Sequence, residues 1–585
     1  MNCMTIQNKR VLVVSNLVSA TITALTVLWT RNPNNSIINA FSYSFEAERN
    51  TSRDLEENCC SCPWQPSSTI NYTTIDDPDW PYDSIWQSEL GAILSTDARL
   101  FNNMNIGEDR YYELCPEDDD DKPGYSFMLE GNGLCMIEEN CRYRFCNRDG
   151  QEVNGLPAYT VDVRTPEDIQ SAISFANKYN IQITVKNTGH NYVGASVMPN
   201  SLNIWMIHYP KDGTINENFQ DSCGTPAVTV GIAGGELTND VLNVVKADYT
   251  LLTGDHRSTG YAGFIMGVGV GYTSRLHGAG VDLVMRFDVI LPNSTEVVAD
   301  ACSNPDLFWA LRGGGGGTFG VVTHMDMKLL PATGQITEVY FNLWEKTREN
   351  VRKFMEFWTK VSPKADRRVM GGYWLAFKFV LYIQGDEDAA REVLADDLES
   401  WFNENLNDDD GEWGFESFSS WYDIRDGDEG YVEKDDDNPV GDGAGDKIST
   451  RLVPLDFIEE NTTKMIDFLT DLYFDVEKWD AYYFGGAMSD VAQNKTAVHP
   501  AMRTSPWAIS TTTRVGHQLV RELLPNSIGA GASYNHHSPE EPDWRNALWG
   551  ENYDRLLSIK KDVDPHHRFN CWHCVGYQGE EYEFS

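Results

Sequence analysis

The pattern of residues 159–185 predicts a strand, a helix and a second strand in close succession. Tyr159 to Val163 alternates as a strand does, and Ile181 to Val185 is an apolar, β-branched run typical of a buried strand. Between them, Thr165 can cap a helix that has Pro166 at its first position and acidic residues in its first turn. This unit predicts a layered α and β arrangement with a turn at the end of the second strand.

That turn carries one histidine between two glycines: residues 186–196 read KNTGHNYVGAS. Gly189 and Gly194 permit sharp turns and a close approach of the backbone to a ligand. Amide and hydroxyl side chains surround His190 and offer hydrogen bonds to such a ligand. A plain surface turn is the alternative, and these residues alone do not decide between the two.

A second glycine-rich zone spans residues 253–280. Its glycines at 260, 263, 267, 269 and 271 are too closely spaced for a regular helix or strand, so a loop is predicted. The backbone N–H groups of such a loop can face phosphate oxygens. The spacing matches neither the Gly-x-Gly-x-x-Gly motif of a strand–helix junction nor a P-loop.

A third zone joins a short helix, predicted over Asn304 to Arg312, to a strand through five consecutive glycines, Gly313 to Gly317. Its flanks are apolar rather than serine-rich, which disfavours a flexible linker. Beyond Pro331, residues 335–344 alternate, residues 371–385 form one long strand-like run, and residues 388–402 have a helical pattern. This second half predicts an antiparallel sheet backed by helices.

The acidic character of the chain excludes some functions. Its 585 residues exceed what one core accommodates, and 46 basic against 88 acidic residues give a net charge of −42. Such a polyanion repels nucleic acid and anionic membrane surfaces, so no nucleic-acid partner is expected. Residues 403–446 are the most acidic part; a solvated insertion is favoured over a cation site, because the aspartates lack EF-hand spacing.

The N-terminus and the cysteines point to the secretory pathway. Lys9 and Arg10 precede a mostly apolar stretch from Val11 to Trp29, which reads as a cleaved secretory signal, with an uncleaved signal anchor as the alternative. Eight of the twelve cysteines lie between Cys3 and Cys146 in a region suited to disulfides. Cys571 and Cys574 form a CxxC, for which zinc is a weaker alternative. Asn-x-Ser/Thr sequons begin at Asn34, Asn50, Asn71, Asn293, Asn461 and Asn494, and predict a glycoprotein.

Four motifs in order resemble those of a flavoprotein family. Three are the zones at residues 186–196, 260–282 and 304–323; the fourth reads WGENYDRL at residues 549–556 and continues to Phe569. Together they resemble the berberine-bridge-enzyme-like branch of the vanillyl-alcohol-oxidase family. The sequence Lys-Asn-Thr-Gly-His and the ending Trp-His-Cys-Val-Gly at residues 572–576 are most similar to secreted, fungal-type alcohol oxidases of that branch.

The resemblance implies an α+β fold. Residues 151–332 would form a two-subdomain, PCMH-type FAD-binding domain, and residues 333–545 a substrate domain with an antiparallel sheet backed by helices. Residues 546–585 would return to the FAD domain. Before them stand the signal at residues 1–30 and a cysteine-rich, irregular region at 31–150, in which disulfide-tied loops and short helices are expected.

The resemblance also implies covalently bound FAD. His190 would carry the bond to the flavin 8α-methyl group. The cysteine that gives some members a second bond falls at His256, so a single linkage is expected; a histidine common in the family falls at Phe264. The residues expected to bind FAD are His190, Lys186, Asn187, Thr188, Gly189, Asn191, Gly194, Ser196, Gly260, Gly263, Gly267, Gly269, Gly271, Val322, Asn552 and Tyr553. No metal ligands are assigned.

The implied reaction transfers a hydride from a carbon that bears OH or NH to the flavin, while a base takes the heteroatom proton. In related members the base is the tyrosine of a Tyr-x-Asn motif on a late strand, which here reads Ser533-Tyr534-Asn535. Tyr534, shifted by one position, and Tyr553 are therefore the catalytic candidates. Adjacent strand residues face opposite sides, so sheet packing is the alternative for Tyr534.

These inferences predict a secreted, monomeric FAD-linked oxidoreductase that oxidises a small alcohol, sugar or aromatic metabolite and is reoxidised by O2, giving H2O2. A flavin dehydrogenase with another electron acceptor is one alternative. A surface glycoprotein that keeps the flavin fold but has lost turnover is another. No membrane span is expected after signal cleavage.

Overall fold

The computed structural model describes residues 72–104, 144–146, 152–154, 156–191, 193–254, 256–375, 378–426, 449–476, 479–511, 513–538 and 541–578. The predicted signal, the cysteines from Cys3 to Cys141 and residues 427–448 of the acidic segment lie outside this range. Contacts divide the chain into two compact units, Met1–Trp64 with Cys146–Glu152, and Gln65–Phe145 with Val153–Ser585. The second unit holds nearly all the described residues and is the one described below.

The strands, in chain order, are β1 (Arg99–Asn102), β2 (Arg144–Cys146), β3 (Glu152–Asn154), β4 (Tyr159–Asp162), β5 (Gln182–Lys186), β6 (Ser201–Trp205), β7 (Ile215–Gln220), β8 (Pro226–Ala233), β9 (Tyr249–Thr250), β10 (Val284–Ile290), β11 (Glu296–Asp300), β12 (Val321–Lys328), β13 (Leu330–Pro331), β14 (Ile336–Leu343), β15 (Val369–Leu375), β16 (Lys378–Gln384), β17 (Gly411–Phe418), β18 (Ser449–Val453), β19 (Trp479–Tyr483) and β20 (Trp507–Thr511).

The α-helices are α1 (Asp83–Ile85), α2 (Pro166–Tyr179), α3 (Thr238–Val245), α4 (Tyr261–Gly267), α5 (Ser274–His277), α6 (Gly280–Leu283), α7 (Pro305–Leu311), α8 (Arg348–Val361), α9 (Glu387–Ala390), α10 (Asp396–Asn405), α11 (Trp421–Asp426), α12 (Leu455–Glu460), α13 (Thr462–Asp475), α14 (Arg514–Leu523), α15 (Trp544–Trp549) and α16 (Tyr553–Val563).

The first sheet has the order β1-β4-β6-β5, in which β4, β6 and β5 run parallel. Helix α2 begins as predicted: Thr165 Oγ1 accepts a hydrogen bond from the Asp168 N–H at 3.2 Å, and the Asp168 carboxylate accepts one from the Thr165 N–H at 3.0 Å. Phe569, in the C-terminal segment, forms an isolated β-bridge with Ile183 on β5.

Part of the region expected to be irregular belongs to this sheet. Residues 72–104 contain α1 and β1, and β1 pairs antiparallel with β4. Trp86 lies fully buried and stacks on Tyr159 with a centroid distance of 3.8 Å. With β1 on one side and β6 on the other, β4 has hydrogen-bond partners for its buried backbone on both edges. The apolar residues of this segment pack in the core beneath β4.

The second sheet, in the order β11-β10-β12-β8-β7, is antiparallel. The glycine-rich zone between β9 and β10 corrects one prediction: residues 261–267 form helix α4 rather than a loop. Each interior glycine disfavours a helix by about 1 kcal/mol. Burial outweighs this penalty here, since Tyr261 and Ile265 are fully buried in the same core as Phe287 of β10.

The third sheet has seven strands in the order β17-β14-β16-β15-β19-β20-β18, and every pairing is antiparallel. Helices α8, α10 and α13 cover one face; Phe354 of α8, for example, stacks on Phe341 of β14 at 4.8 Å. The predicted sheet backed by helices is thus present. The boundaries of the predicted domains stay a prediction.

Three details of this sheet differ from the sequence prediction. Residues 371–385 form two strands of a hairpin, β15 and β16, and not one long strand. The acidic segment contains the edge strand β17 and helix α11. Residues 534–536 form a single 3-10 turn and not a late strand. The hydroxyl of Thr450 on β18 bonds to the backbone of Ser533 and His536, in place of the backbone pairing that a strand would make.

Among the described residues there are two disulfide bonds, Cys223–Cys302 and Cys571–Cys574. The second decides against a zinc site at the CxxC. None of the described helices combines the length and the hydropathy of a membrane span. Among the described residues, no group of His, Cys, Asp and Glu side chains is arranged to hold a metal ion.

Candidate functional site

The turn after β5 is held in place by hydrogen bonds to distant backbone. Thr188 Oγ1 accepts a hydrogen bond from the N–H of Gly260, the residue before helix α4, at 3.1 Å. Asn187 Nδ2 donates to the carbonyl oxygens of Gly234 and Glu236, both at 3.2 Å. Gly189 has a φ of 89°, which a side chain would disfavour, and it turns the chain toward His190. The sequence places this turn correctly.

His190 is one end of a chain of three hydrogen-bonded side chains. Its Nε2 lies 2.7 Å from Ser258 Oγ, and Ser258 Oγ lies 2.8 Å from Nδ1 of His256. The two imidazole rings are 4.8 Å apart. Burial, together with the nearby His256 and Lys186, holds the pKa of His190 well below its ordinary value. His190 is therefore a neutral imidazole at neutral pH, the form in which its nitrogen is nucleophilic.

Lys186, at the end of β5, is almost fully buried, and its ammonium group lies 5.4 Å from the ring centroid of Trp205. Burial lowers the pKa of Lys186 to about 7. Such a lysine can exist as the neutral amine or the cation near neutral pH, so it can adjust its charge to a neighbouring ligand.

Beside this turn lies an accessible surface of bare backbone. Gly263 is exposed, although its neighbours along α4 are buried, and a Cβ there would meet no atom within 4 Å. Gly316 is partly exposed, and a Cβ on it would lie 3.5 Å from the Gly263 Cα. The Gly313 and Gly315 N–H groups each donate to the Met266 carbonyl at 3.1 Å, which lays the five-glycine loop along α4.

These features fit a flavin. A planar ring system needs a flat surface without projecting side chains, and Gly263 with Gly316 offers one. Buried polar atoms around it have no hydrogen-bond partner among the described residues: Asn187 Oδ1, Thr253 Oγ1 and Asn535 Oδ1. Buried polar atoms are normally paired, so a polar ligand at this place would satisfy them.

The 3-10 turn Tyr534–His536 adjoins the other end of α4. Asn535 Nδ2 donates to the Phe264 carbonyl at 3.2 Å, and a Cβ on Gly267 would collide with the Asn535 side chain at 2.5 Å. Thr450 fixes the turn: its hydroxyl donates to the His536 carbonyl at 2.8 Å and accepts from the Ser533 N–H at 2.9 Å. Residues 450 and 533–536 are brought together only in the folded chain.

Tyr534, the first catalytic candidate, packs inside the protein. Its ring lies 5.6 Å from that of Trp549, and a Cβ on Gly315 would come within 2.3 Å of its hydroxyl oxygen. Burial raises the pKa of Tyr534 above its ordinary value. The hydroxyl thus faces the glycine loop, and its catalytic role stays a prediction.

Tyr553, the second candidate, joins helix α16 to the C-terminal segment. Its hydroxyl accepts a hydrogen bond from the Gly576 N–H at 3.3 Å, and its ring packs on Trp549 at 5.7 Å. Asn552 donates to the Val498 carbonyl at 2.8 Å. Both residues are therefore placed by structural contacts of the C-terminal motif.

Other predicted FAD-binding residues make structural contacts in the neighbouring turns and in the core. Asn191 Oδ1 accepts hydrogen bonds from the N–H groups of Val193 and Ala195, and Gly194 lies in that turn with a φ of 73°. A Cβ on Gly271 would meet the Thr253 carbonyl at 2.0 Å. The remaining members lie beside these turns and strands or within the core, with Ser196 partly exposed, Gly269 against Gly280 and Val322 buried on β12.

The sequence did not nominate Ser258 or His536. Ser258 connects His190 to His256, and His536 is the partly exposed residue beside the buried His537. The signal for Ser258 was its position two residues after His256. His536 had no local signal, because its surroundings come from β18 and β19.

Comparisons with known proteins agree with this arrangement. Residues 157–300 match the model of the FAD binding domain family, and residues 533–575 match that of the family "Berberine and berberine like". The FAD-linked oxidoreductase easE of Arthroderma benhamiae is 30% identical over 446 residues, which cover 70% of this chain and 87% of the relative.

Two solved structures share the fold. The VAO-type flavoprotein MtVAO713 from Myceliophthora thermophila C1 matches with a TM-score of 0.70 and 21% identity, over 88% of this chain and 97% of the other. Glucooligosaccharide oxidase from Acremonium strictum, which holds 6-S-cysteinyl, 8α-N1-histidyl FAD, matches with a TM-score of 0.59 and 18% identity, over 78% of this chain and 96% of the other.

Proposed function

This chain belongs to the berberine-bridge-enzyme-like branch of the vanillyl-alcohol-oxidase family of FAD-linked oxidoreductases, and we propose that it oxidises an alcohol group of a small molecule with FAD bound covalently to His190. The observation that carries the proposal is the chain His190–Ser258–His256. It presents a neutral, partly exposed imidazole beside an accessible glycine surface.

The family resemblance implies that His190 and His256 stand at the positions of the histidyl and cysteinyl attachments, the two kinds of bond that glucooligosaccharide oxidase makes to its FAD. A single linkage is proposed because His256 lacks a thiol, and its Nδ1 is bound to Ser258. Ser258 holds the His190 ring in one orientation, and His256 can share the proton of their common hydrogen bond. These residues would thereby prepare His190 for bond formation.

Bound FAD would supply the hydride acceptor of the reaction. Asn187, Thr253 and Asn535 would offer hydrogen bonds to its polar atoms, and Gly263 and Gly316 would give room to its ring. Lys186, with its pKa near 7, would adjust its charge as the site becomes more negative. The protein's part is to hold, orient and shield the reacting groups.

The substrate class rests on a row of tyrosines in the seven-stranded sheet. Tyr340, Tyr373 and Tyr482 stand in one cross-strand row on the face opposite helices α8 and α13, and each is partly exposed. A row of aromatic faces suits a sugar or an aromatic alcohol, both of which present apolar faces edged by hydroxyls. Glucooligosaccharide oxidase has the same fold, which supports the sugar.

Secretion and reoxidation by O2 are parts of the same proposal. Two disulfides among the described residues favour an oxidising compartment. The sequon residues Asn293 and Asn494 are exposed and open to glycosylation. A monomer is proposed, with a small-molecule substrate and O2 as its partners.

The test uses the purified full-length protein. Flavin fluorescence is read on the denatured band after acid precipitation, and H2O2 is measured with cellobiose, xylobiose and benzyl alcohol. We expect a fluorescent band and H2O2 with at least one of the three probes. A colourless denatured band contradicts covalent FAD. Reduction of a dye without any H2O2 contradicts the oxidase.

A further inference from the structure

The 3-10 turn at residues 534–536 carries one partly exposed histidine among buried neighbours. Ser533, Tyr534 and His537 are between 1% and 6% exposed, whereas His536 retains accessible surface. Yet protein surrounds His536 closely enough that desolvation lowers its pKa to about 4. His536 is therefore an accessible side chain that is held as a neutral imidazole.

His536 lies over the aromatic row of the substrate sheet. Its ring stacks on Tyr482 of β19 with a centroid distance of 5.6 Å and an interplanar angle of 16°. Tyr482 is paired across β15 with Tyr373 and across β20 with Ala508. The register of three strands thus fixes the platform under the imidazole.

The same turn also contacts helix α4, which carries Gly263 of the glycine surface. Asn535, the residue before His536, donates to the Phe264 carbonyl and contacts Gly267 at the end of α4. Gly263, the exposed residue of the glycine surface, lies one turn earlier on that helix. His536 therefore stands between the place that fits the flavin and the row of tyrosines that fits the substrate.

The neighbouring histidine has a different environment. His537 Nε2 lies 3.1 Å from Nδ1 of His573, and His573 is stacked between Trp544 and Trp572 at 4.8 and 4.7 Å. His537 and His573 are 2% and 1% exposed. This pair is part of the core, and of the two adjacent histidines only His536 can touch a substrate.

We infer that His536, supported by Tyr482, is the catalytic base that accepts the hydroxyl proton of the substrate. The inference rests on the proposed alcohol oxidation. When the substrate C–H carbon gives up a hydride, which FAD accepts, its O–H bond breaks and the proton goes to the imidazole. The products are a carbonyl compound, the reduced cofactor and a protonated His536. O2 then takes the two electrons and two protons and leaves as H2O2.

The experiment follows anaerobic bleaching of the flavin in the FAD-loaded protein. The probe is whichever of cellobiose, xylobiose and benzyl alcohol reduces the wild type fastest. We expect His536→Ala and His536→Gln to slow the limiting rate by about 10²- to 10⁴-fold, as loss of a general base does. Imidazole added to His536→Ala should restore part of the rate, and His536→Gln should not respond.

A second readout separates the base from a merely structural residue. The flavin absorbance change on binding the carbonyl product of that probe should give a dissociation constant within about threefold of wild type in both variants, because proton transfer contributes little to product binding. Covalent flavin content should be unchanged. His566→Ala, which alters an exposed histidine of the same chain, is the matched control and should match the wild type.

Each failure has its own signature. If no probe bleaches the wild-type flavin, the proposed function fails and takes the inference with it. If the wild type is reduced and His536→Ala is reduced as fast, the inference alone fails. Slow bleaching in Tyr534→Phe, with normal rates in both His536 variants, would show that Tyr534 and not His536 is the catalytic base.

Discussion

The turns that carry His190 and His536 contact opposite ends of helix α4 and are fixed in different ways. His190 follows a parallel strand, and its loop is anchored to the Gly260 backbone by Thr188. His536 lies on a 3-10 turn anchored by Thr450 of an edge strand and by stacking on Tyr482. One region depends on backbone shape near the histidine, and the other depends on the register of a sheet.

This difference explains why the region around His190 is easier to predict from the sequence than the region around His536. Glycines and hydrogen-bonding side chains mark a constrained backbone wherever they occur. A sheet register brings together residues that are distant along the chain, and their types alone do not reveal it. The predictions below begin with the largest expected effect.

Removing the histidine of the cofactor region should have the largest effect. We expect His190→Ala to lose all covalent flavin, since no other side chain replaces its nitrogen, while the circular dichroism spectrum stays that of the wild type. His536→Ala is the matched variant in the substrate region and should keep its covalent flavin. Fluorescence of the denatured bands compares the two. Covalent flavin in His190→Ala would end the distinction between the regions.

Filling the glycine surface should lower FAD content by about tenfold or more. A Cβ at Gly263 would meet no atom within 4 Å, so the apoprotein should tolerate Gly263→Leu, with a gain of about 0.5–1 kcal/mol from helix propensity. FAD content is measured by absorbance and apoprotein stability by thermal unfolding. Gly271→Ala is the contrast, because its Cβ would collide with the Thr253 carbonyl and should cost about 1–3 kcal/mol of stability. Normal FAD content in Gly263→Leu would show that the flavin lies elsewhere.

Removing each disulfide in turn should show which of the two stabilises the His190 turn. Cys571–Cys574 packs against Val193, Ala195 and Met198 of the His190 turn. Its loss in Cys574→Ser should cost about 2 kcal/mol, because it closes a very short loop, and should lower covalent flavin. Loss of Cys223–Cys302, which closes a loop with a sequence separation of 79, should cost about 4–5 kcal/mol and spare the flavin bond. Chemical denaturation and band fluorescence measure both effects. Equal flavin contents in the two variants would contradict the local role.

The smallest expected effect concerns pH. The pKa of His190 is lowered by burial and by His256 and Lys186, so the imidazole stays neutral at pH values where an exposed histidine would be protonated. Attachment of FAD to the apoprotein should therefore change less than about twofold between pH 7.5 and 6, where an unperturbed histidine with a pKa of about 6.5 would become mostly charged. The time course of band fluorescence gives the rate. A severalfold fall over this interval would show that His190 titrates normally.

Much of the cofactor region could be predicted from sequence. The capping box of α2, strand β5 and the His190 turn follow local rules, and the family resemblance, the α+β fold and FAD as cofactor are confirmed by the family matches and the shared fold. The glycines of α4 misled the prediction, because burial of Tyr261 and Ile265 outweighs helix propensity.

The substrate region was predicted less well for a physical reason. The strand expected at Tyr534 is a 3-10 turn, since Thr450 satisfies its backbone groups by side-chain hydrogen bonds in place of a ladder. The hairpin at β15 and β16 shows no strong turn signal, so it was predicted as one strand. Neither the position of His536 over Tyr482 nor the tyrosine row can be read from the chain without the sheet register.

The most direct test of the account is a peptide map of the native protein. Tryptic digestion followed by mass spectrometry should yield the peptide of residues 187–211, released by cleavage after Lys186 and Lys211, with the mass of FAD on His190 and fragment ions that exclude every other residue. The peptide that contains His256 should be unmodified. FAD on any other residue, or only unmodified His190 in a yellow protein, would contradict the claim that this turn anchors the cofactor.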